Sequence, residues 1–412
     1  MKCIVDDDVV LSQPLEGPLS AHIAGFARWA RDRGYAWASR YRQVLLAACF
    51  SRWLGQQAVS VRRITTEHQV CYLRSRRRRV QVRPEDGTAL RQFLAFLRHE
   101  GVIPTEMQPP RRLTPVDREV EAFETYLRTN RALTETTVAY YATFARAFLA
   151  ARIGKNPVRL AQLGADDVVR FVRRQAARLQ LRRAKLLTTA LRSFLHYARF
   201  RGVIVLDLAA AVPTVASWSM PSIPRAIPAD AVRQLLVAMD RKSVVGRRDH
   251  AIVLLLARLG LRSSEVVGLE LEDLDWETGQ VSVRGKGGGR TALPLPTDVG
   301  AAIAAYLQHG RPQSSSRRVF LRARAPIGGL RGPSAIGSIV RHALTRAGVQ
   351  APTTGAHQFR HALATQMLRH GASLTEIGEV LRHRSPETTK IYTKVDVEML
   401  RTLALPWPGG AR

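Results

Sequence analysis

Four side chains near the end of the chain have the types and spacing of a site that attacks a phosphodiester. His357 and Arg360 lie in His357-Gln358-Phe359-Arg360, His383 follows in Leu381-Arg382-His383-Arg384, and Tyr392 comes shortly after. Two further cations, Arg262 and Lys286, stand upstream. A phosphodiester is anionic, and its transition state concentrates more charge on the phosphoryl oxygens. Preplaced donors stabilise that charge, and losing one typically costs roughly 100- to 1000-fold in rate. Arg262 and Arg360 suit this task, because a guanidinium fork matches phosphate oxygens and stays charged. His383 would donate a hydrogen bond to a phosphoryl oxygen.

Tyr392 is the candidate nucleophile. A phenol with a reference pKa of about 10 is a weak nucleophile at neutral pH. It needs a base or a field of positive charge, and His357 is the candidate base. The leaving oxygen needs a proton, which lysine can supply when its pKa is lowered and arginine cannot supply easily. Only 7 of the 63 basic residues are lysine, yet one of them, Lys286, stands in the glycine-rich run Gly285-Lys286-Gly287-Gly288-Gly289. That placement supports a general-acid role over a plain phosphate contact. Glu265, close to Arg262 and near a helix start, reads as a structural carboxylate that orients the arginine.

Metal chemistry is not expected. His357 and His361 have the i, i+4 spacing of a zinc-binding helix, but position 358 is Gln and no third ligand is evident. Cys3, Cys49 and Cys71 are too few and too scattered for a disulfide framework or a metal site, which points to a reducing cytoplasm. The longest strongly apolar run, Ala251 to Ala257, is too short to span a bilayer, and an acidic cluster (Asp6, Asp7, Asp8) stands where a signal peptide needs a basic flank. A net charge of +30, with 63 basic against 33 acidic residues, favours a nucleic-acid partner over a membrane surface. The densest basic run, Arg76, Arg77, Arg78 and Arg79 with Arg74 beside it, is a candidate DNA-phosphate surface, as is Arg290.

The elements that must position these residues fall into three parts. Prolines cluster at Pro104 to Pro115 and again at Pro213 to Pro228, and both stretches read as linkers. The segments before them resemble each other: Thr88-Ala89-Leu90-Arg91-Gln92-Phe93-Leu94 matches Thr189-Ala190-Leu191-Arg192-Ser193-Phe194-Leu195, and Gly101-Val102-Ile103 matches Gly202-Val203-Ile204. The division is therefore a helical domain over 1–105 that reads as a duplicate of the second, a helical core domain over 115–212, a linker over 213–228, a catalytic domain over 229–394 and a tail over 395–412. In the third part, helices are expected at Ala231 to Met239, Asp249 to Leu259, Asp298 to His309, Ala335 to Ala347, His357 to His370, Ser373 to Leu381 and Pro386 to Tyr392. A hairpin is expected from Gln280 to Arg284 and Arg290 to Leu295.

From about Pro115 to Leu405, and most strongly from Ala251 to Val395, the chain resembles the tyrosine recombinase family of the phage-integrase type. Gly260-Leu261-Arg262-Ser263-Ser264-Glu265 looks like that family's first arginine motif, and Val283-Arg284-Gly285-Lys286-Gly287, with Arg290 and Pro294 after it, like its lysine hairpin. His357-Gln358-Phe359-Arg360-His361 looks like the His-x-x-Arg box, Leu381-Arg382-His383 like the Leu-Gly-His box, and Thr389-Lys390-Ile391-Tyr392 like the nucleophile segment. Arg382 and Ser263 depart from the family's usual glycine and apolar residue, so the turn at Arg382 must tolerate a side chain.

The resemblance implies a mainly α fold with a small antiparallel β-sheet, two helical DNA-binding domains preceding a tyrosine-recombinase catalytic domain. It implies a site-specific recombinase or integrase, or the transposase of a mobile element. Such an enzyme cleaves and rejoins strands through a 3′-phosphotyrosyl intermediate and a Holliday junction. The phosphodiester energy is conserved, so no cofactor, metal or ATP is called for. Its partners would be double-stranded DNA with specific recombination sites, a homo-tetramer on that DNA and accessory recombinases, in the cytoplasm at the bacterial nucleoid. The apolar tail, with Val395, Val397, Met399, Leu400, Leu403 and Leu405, packs on its own domain or docks into a neighbour. Two other readings remain open at this point. One is a DNA-binding regulator, with Thr375 to Leu381 and Pro386 to Tyr392 as a helix-turn-helix. The other is an enzyme of the type IB topoisomerase kind.

Overall fold

The computed structural model describes residues 3–6, 9–105, 113–153, 160–216, 226–285, 288–383 and 385–394. The chain divides into two compact units, Met1–Glu106 together with Ser222–Arg412, and Met107–Pro221. Among the described residues, no helix is long and apolar enough to cross a membrane.

The first unit opens with a short antiparallel ribbon, β1 (Cys3–Asp6) and β2 (Val9–Leu11), and four helices: α1 (Ile23–Asp32), α2 (Trp37–Gln56), α3 (Thr66–Arg77) and α4 (Asp86–His99). In α4, Ala89, Leu90, Phe93, Leu94 and Leu97 recur at helical spacing, and all five are buried against Phe26 and Phe50. Gly101, at φ +69°, lets the chain leave α4 in a left-handed turn.

The second unit holds α5 (Pro115–Thr129), α6 (Glu135–Ile153), α7 (Ala165–Ala176) and α8 (Leu181–Phe200). The Thr114 hydroxyl accepts the Asp117 amide at 3.1 Å and the Asp117 carboxylate accepts the Thr114 amide at 3.2 Å, which starts α5 at its first-turn proline.

The two four-helix segments build the same interior. Phe26 meets Phe93 at 4.9 Å between ring centroids, and Phe123 meets Phe194 at 5.3 Å. Trp29 meets Phe96 at 6.0 Å, and Tyr126 meets Tyr197 at 5.0 Å. Phe50 meets Tyr72 at 5.2 Å, and Phe148 meets Phe171 at 5.1 Å. Gly202 repeats the φ of +69° at the end of α8. Aromatic side chains thus occupy matching positions on matching helices.

The remainder of the first unit carries α9 (Ala229–Ala238), α10 (Val244–Leu259), α11 (Ser263–Gly268), α12 (Thr297–His309), α13 (Pro333–Ala347), α14 (His357–Arg369) and α15 (Leu374–Val380). Ala251 to Leu256 of α10 are buried on every side, which makes it the central helix of this core. A three-stranded antiparallel sheet runs in the order β3 (Leu274–Asp275), β4 (Gln280–Arg284), β5 (Arg290–Pro294). Val281 and Val283 face the core while Gln280 and Arg284 face out, and Arg284 pairs with Arg290 across the hairpin. The two-residue strand β3 went unforeseen because it is too short to carry a period.

One expected helix does not form. Pro386 to Tyr392 breaks into two 3-10 turns, Pro386–Thr388 and Lys390–Lys394, instead of one α-helix. That removes the reading helix a helix-turn-helix would need, and it buries Tyr392 with Ala364, Ile377 and Leu381. Lys286, the tail over 395–412 and the linker residues 217–225 lie outside the described residues.

Candidate active site

Three chain segments meet at the site. The first is the end of α10, where Gly260 adopts φ +56°. A Cβ there would stand 3.0 Å from the side chains of both Leu363 and Leu381, a tight fit at a left-handed position that favours glycine. Arg262 follows as the residue capping α11. The second segment is α14, carrying His357, Arg360 and His361. The third is the turn Leu381 to His383, followed by the 3-10 turn that bears Tyr392.

Arg360 is 1% exposed and crosses between the first and third segments. Its Nη1 donates to the Gly260 carbonyl at 2.6 Å, and its Nη2 donates to the Leu381 carbonyl. Burial, then the nearby charges of Arg262 and Arg382, pulls its pKa down to about 10, so it stays cationic at neutral pH. Arg262 donates from Nη2 to the very next carbonyl, that of Arg382, at 3.1 Å. Its Nη1 pairs with Glu265 Oε1 at 2.7 Å, and its amide donates to Glu265 Oε2 at 2.8 Å. Burial pushes Glu265 up, but the Arg262 amide and the Arg382 and Arg262 charges outweigh it, so its carboxyl titrates below the usual range. Glu265 therefore orients Arg262, as its place in the sequence suggests.

His383 is fixed by its neighbours: its amide donates to the Gly378 carbonyl at 2.8 Å, and Nδ1 lies 2.8 Å from the Thr389 hydroxyl. Its ring lies parallel to that of Tyr392, with centroids 6.4 Å apart. Burial, then the charges of Arg360 and Arg262, lowers its pKa to about 4.

Tyr392 is 1% exposed, and burial pushes its phenol up to about 12, against the opposing charge of Arg360. Its hydroxyl lies 3.0 Å from Nδ1 of His361. The expected base, His357, instead sits exposed at the first position of α14, with its ring 4.5 Å from that of His361. His357 and Arg360 do not project together: one faces out, the other in. The i, i+4 spacing singled out His361 only as a metal candidate, and it is the histidine that touches the tyrosine. Burial, then His357 and Arg360, lowers its pKa to about 4. Among the described residues, no group of three or more His, Cys, Asp or Glu side chains is placed to hold a metal ion.

The remaining candidates lie elsewhere. Arg290 is exposed on β5, and its Nη2 lies 3.9 Å from Asp273. Arg74, Arg77, Arg78 and Arg79 are exposed at the end of α3, whereas Arg76 is half-buried and lies 3.7 Å from Asp86. The hairpin that carries Lys286 closes with the Gly285 amide donating to the Gly289 carbonyl at 2.8 Å.

Comparisons with known proteins bear on the family and the fold. Residues 225–399 match the Phage integrase family. The chain is 54% identical over 412 residues to the inferred integrase/recombinase y4rA of Sinorhizobium fredii, covering all of both chains. It is 31% identical over 309 residues to tyrosine recombinase XerD of Mycobacterium tuberculosis, covering 71% of this chain and 96% of that one. A solved structure of the XerH site-specific recombinase in a post-cleavage complex with its palindromic difH substrate shares the fold. It aligns at a TM-score of 0.56 and 18% identity, over 70% of this chain and 86% of that one.

Proposed function

The chain belongs to the phage integrase family of tyrosine recombinases, and from that premise we propose how its residues carry out strand exchange. It is a site-specific DNA recombinase. Tyr392 Oη attacks the scissile phosphorus, a 3′-phosphotyrosyl bond forms, and the bond to the 5′-oxygen breaks. Arg262 and Arg360 hold the phosphoryl oxygens, His383 donates to one of them, and Lys286 protonates the leaving 5′-oxygen. His357, exposed beside the site, contacts the incoming phosphate, while His361 accepts the tyrosine proton.

One observation carries this assignment. Arg360 and Arg262 donate to the consecutive carbonyls of Leu381 and Arg382, and the next residue is His383. A single turn thereby sets the positions of two guanidiniums and an imidazole, and the same turn leads into the tyrosine. Fixing donors before substrate arrives is what makes them worth more in the transition state than in water. The buried Tyr392 counts against the helix-turn-helix reading, in which that segment would lie in a groove of DNA.

The matching aromatic interiors of the segments over 1–105 and 115–212 support the reading that both are DNA-binding domains and that one arose from the other. The exposed arginines Arg74, Arg77, Arg78 and Arg79, together with Arg290, would contact phosphates, positioning the protein without reading sequence. The working assembly is a homo-tetramer on paired recombination sites. It acts in the cytoplasm at the nucleoid, with accessory recombinases, in the movement of a mobile element. The test is to incubate the protein with DNA flanking its own gene and map tyrosine-linked 3′ ends. Adducts at paired inverted repeats support the reading, and random or absent adducts contradict it.

A further inference from the structure

Arg382 stands where the family has glycine, and its backbone shows why glycine would be easier: φ is +54°, the left-handed region. A side chain there crowds its own backbone, a strain that glycine avoids. Its side chain is also 9% exposed, so a cation is held out of water. Both costs are avoidable by the family's own residue, so the guanidinium must contribute something that glycine cannot.

Its contacts indicate what. Arg382 Nη2 lies 2.9 Å from Glu265 Oε2, the same oxygen that accepts the Arg262 amide, while Oε1 holds Arg262 Nη1 at 2.7 Å. The Arg382 carbonyl accepts Arg262 Nη2 at 3.1 Å. Arg262 is therefore held at both terminal nitrogens, one through the Arg382 main chain and one through the carboxylate that the Arg382 side chain anchors. Charge matters as much as position. With glycine at 382, Glu265 would pair with Arg262 alone and quench its charge toward a phosphate. With arginine, one carboxylate is shared between two guanidiniums, and the trio keeps a net positive charge beside Arg360.

We propose that Arg382 is a positioning residue for strand cleavage: it anchors Glu265 so that Arg262 faces the phosphate in a fixed plane with its charge undiminished. This rests on Arg262 being a phosphate ligand. Arg382 acts through Arg262 and Glu265 and does not itself touch DNA.

The test compares full-length wild type, Arg382→Gly, Arg382→Lys and Arg262→Ala on a single cleavage site at saturating DNA. Arg382→Gly relieves the backbone strain, so its melting temperature should hold or rise while the cleavage rate falls roughly 10- to 100-fold, as a misplaced group costs. The dissociation constant for DNA should not change. Arg382→Lys keeps a cation for Glu265 and should recover most of the rate. The inference is overturned by a wild-type rate in Arg382→Gly, by a loss confined to DNA affinity, or by a rate loss that tracks a lowered melting temperature without rescue by lysine. Arg262→Ala separates the two levels. If it cleaves normally, the phosphate-site reading itself fails. If it is dead while Arg382→Gly is fully active, only the role of Arg382 fails.

Discussion

Tyr392 and His361 share a 3.0 Å hydrogen bond between the phenol oxygen and Nδ1, inside a pocket that leaves the tyrosine 1% exposed. With the phenol pushed up to about 12 and the imidazole down to about 4, the proton rests on the tyrosine, which donates to a neutral ring. The resting nucleophile is therefore protonated. The negative charge of a bound phosphate favours a protonated His361, while the charge of Arg360 already opposes the burial that holds the phenol up.

Stability should depend on pH through the same groups. His361 and His383 titrate near 4 in the folded protein, below the usual histidine value of about 6.5. Folding favours their neutral forms, so their contribution is fully present above about pH 6.5 and is lost as pH falls through 4. Tyr392 runs the other way, present below about pH 10 and lost as pH rises through 12. Melting curves of the full chain should shift down between pH 7 and pH 4.5, and the shift should shrink in His383→Gln. An unchanged acid shift in that variant would remove His383 from the account.

His361→Ala takes away the acceptor of the tyrosine proton. General-base groups contribute typically about 100- to 10,000-fold, so cleavage at pH 7 should fall within that range and recover partly as pH is raised. His357→Ala should act more through DNA binding. Normal cleavage by His361→Ala at pH 7 would return the base role to His357.

Lys286 is tested through its leaving group. Lys286→Ala should slow cleavage of an ordinary 5′-oxygen yet largely spare a substrate with a 5′-bridging sulfur, which needs no proton to depart. Equal losses on both substrates would leave Lys286 as a phosphate contact only.

The basic surface of α3 should show in the salt dependence of binding. Replacing Arg74, Arg77, Arg78 and Arg79 by alanine should weaken binding evenly across sequences. The slope of log affinity against log salt should flatten by roughly one unit per lost phosphate contact. Arg76→Ala should instead lower stability and leave the slope alone, because Arg76 is half-buried with Asp86 3.7 Å away. A slope unchanged by the fourfold variant would exclude α3 from the DNA surface.

Much of the site was legible because its parts are local. Arg262, Arg360 and His383 each carry a recognisable neighbourhood, Arg262 in Gly260-Leu261-Arg262-Ser263-Ser264-Glu265. Phe93 and Phe194 stand in the repeated run, whereas the matching pairs Phe50–Tyr72 and Phe148–Phe171 lie outside it and emerged only from the packing. What escaped depends on contacts between segments. Helical spacing showed that His357 and His361 share a face, but which of them meets Tyr392 depends on how the last turns fold back over α14. Those turns are 3-10 rather than α, a difference that period alone does not report. A turn that must tolerate a side chain at Arg382 was legible, but the partner of that side chain, Glu265, is far away in the chain and was not.

In the proposed reaction Tyr392 forms the covalent bond to DNA. Trapping adducts on a nicked suicide substrate tests it most directly, comparing wild type with Tyr392→Phe, which keeps the buried ring and loses only the hydroxyl. Wild type should give a covalent protein–DNA species and Tyr392→Phe none, at equal DNA binding. An adduct of undiminished yield from Tyr392→Phe would contradict it.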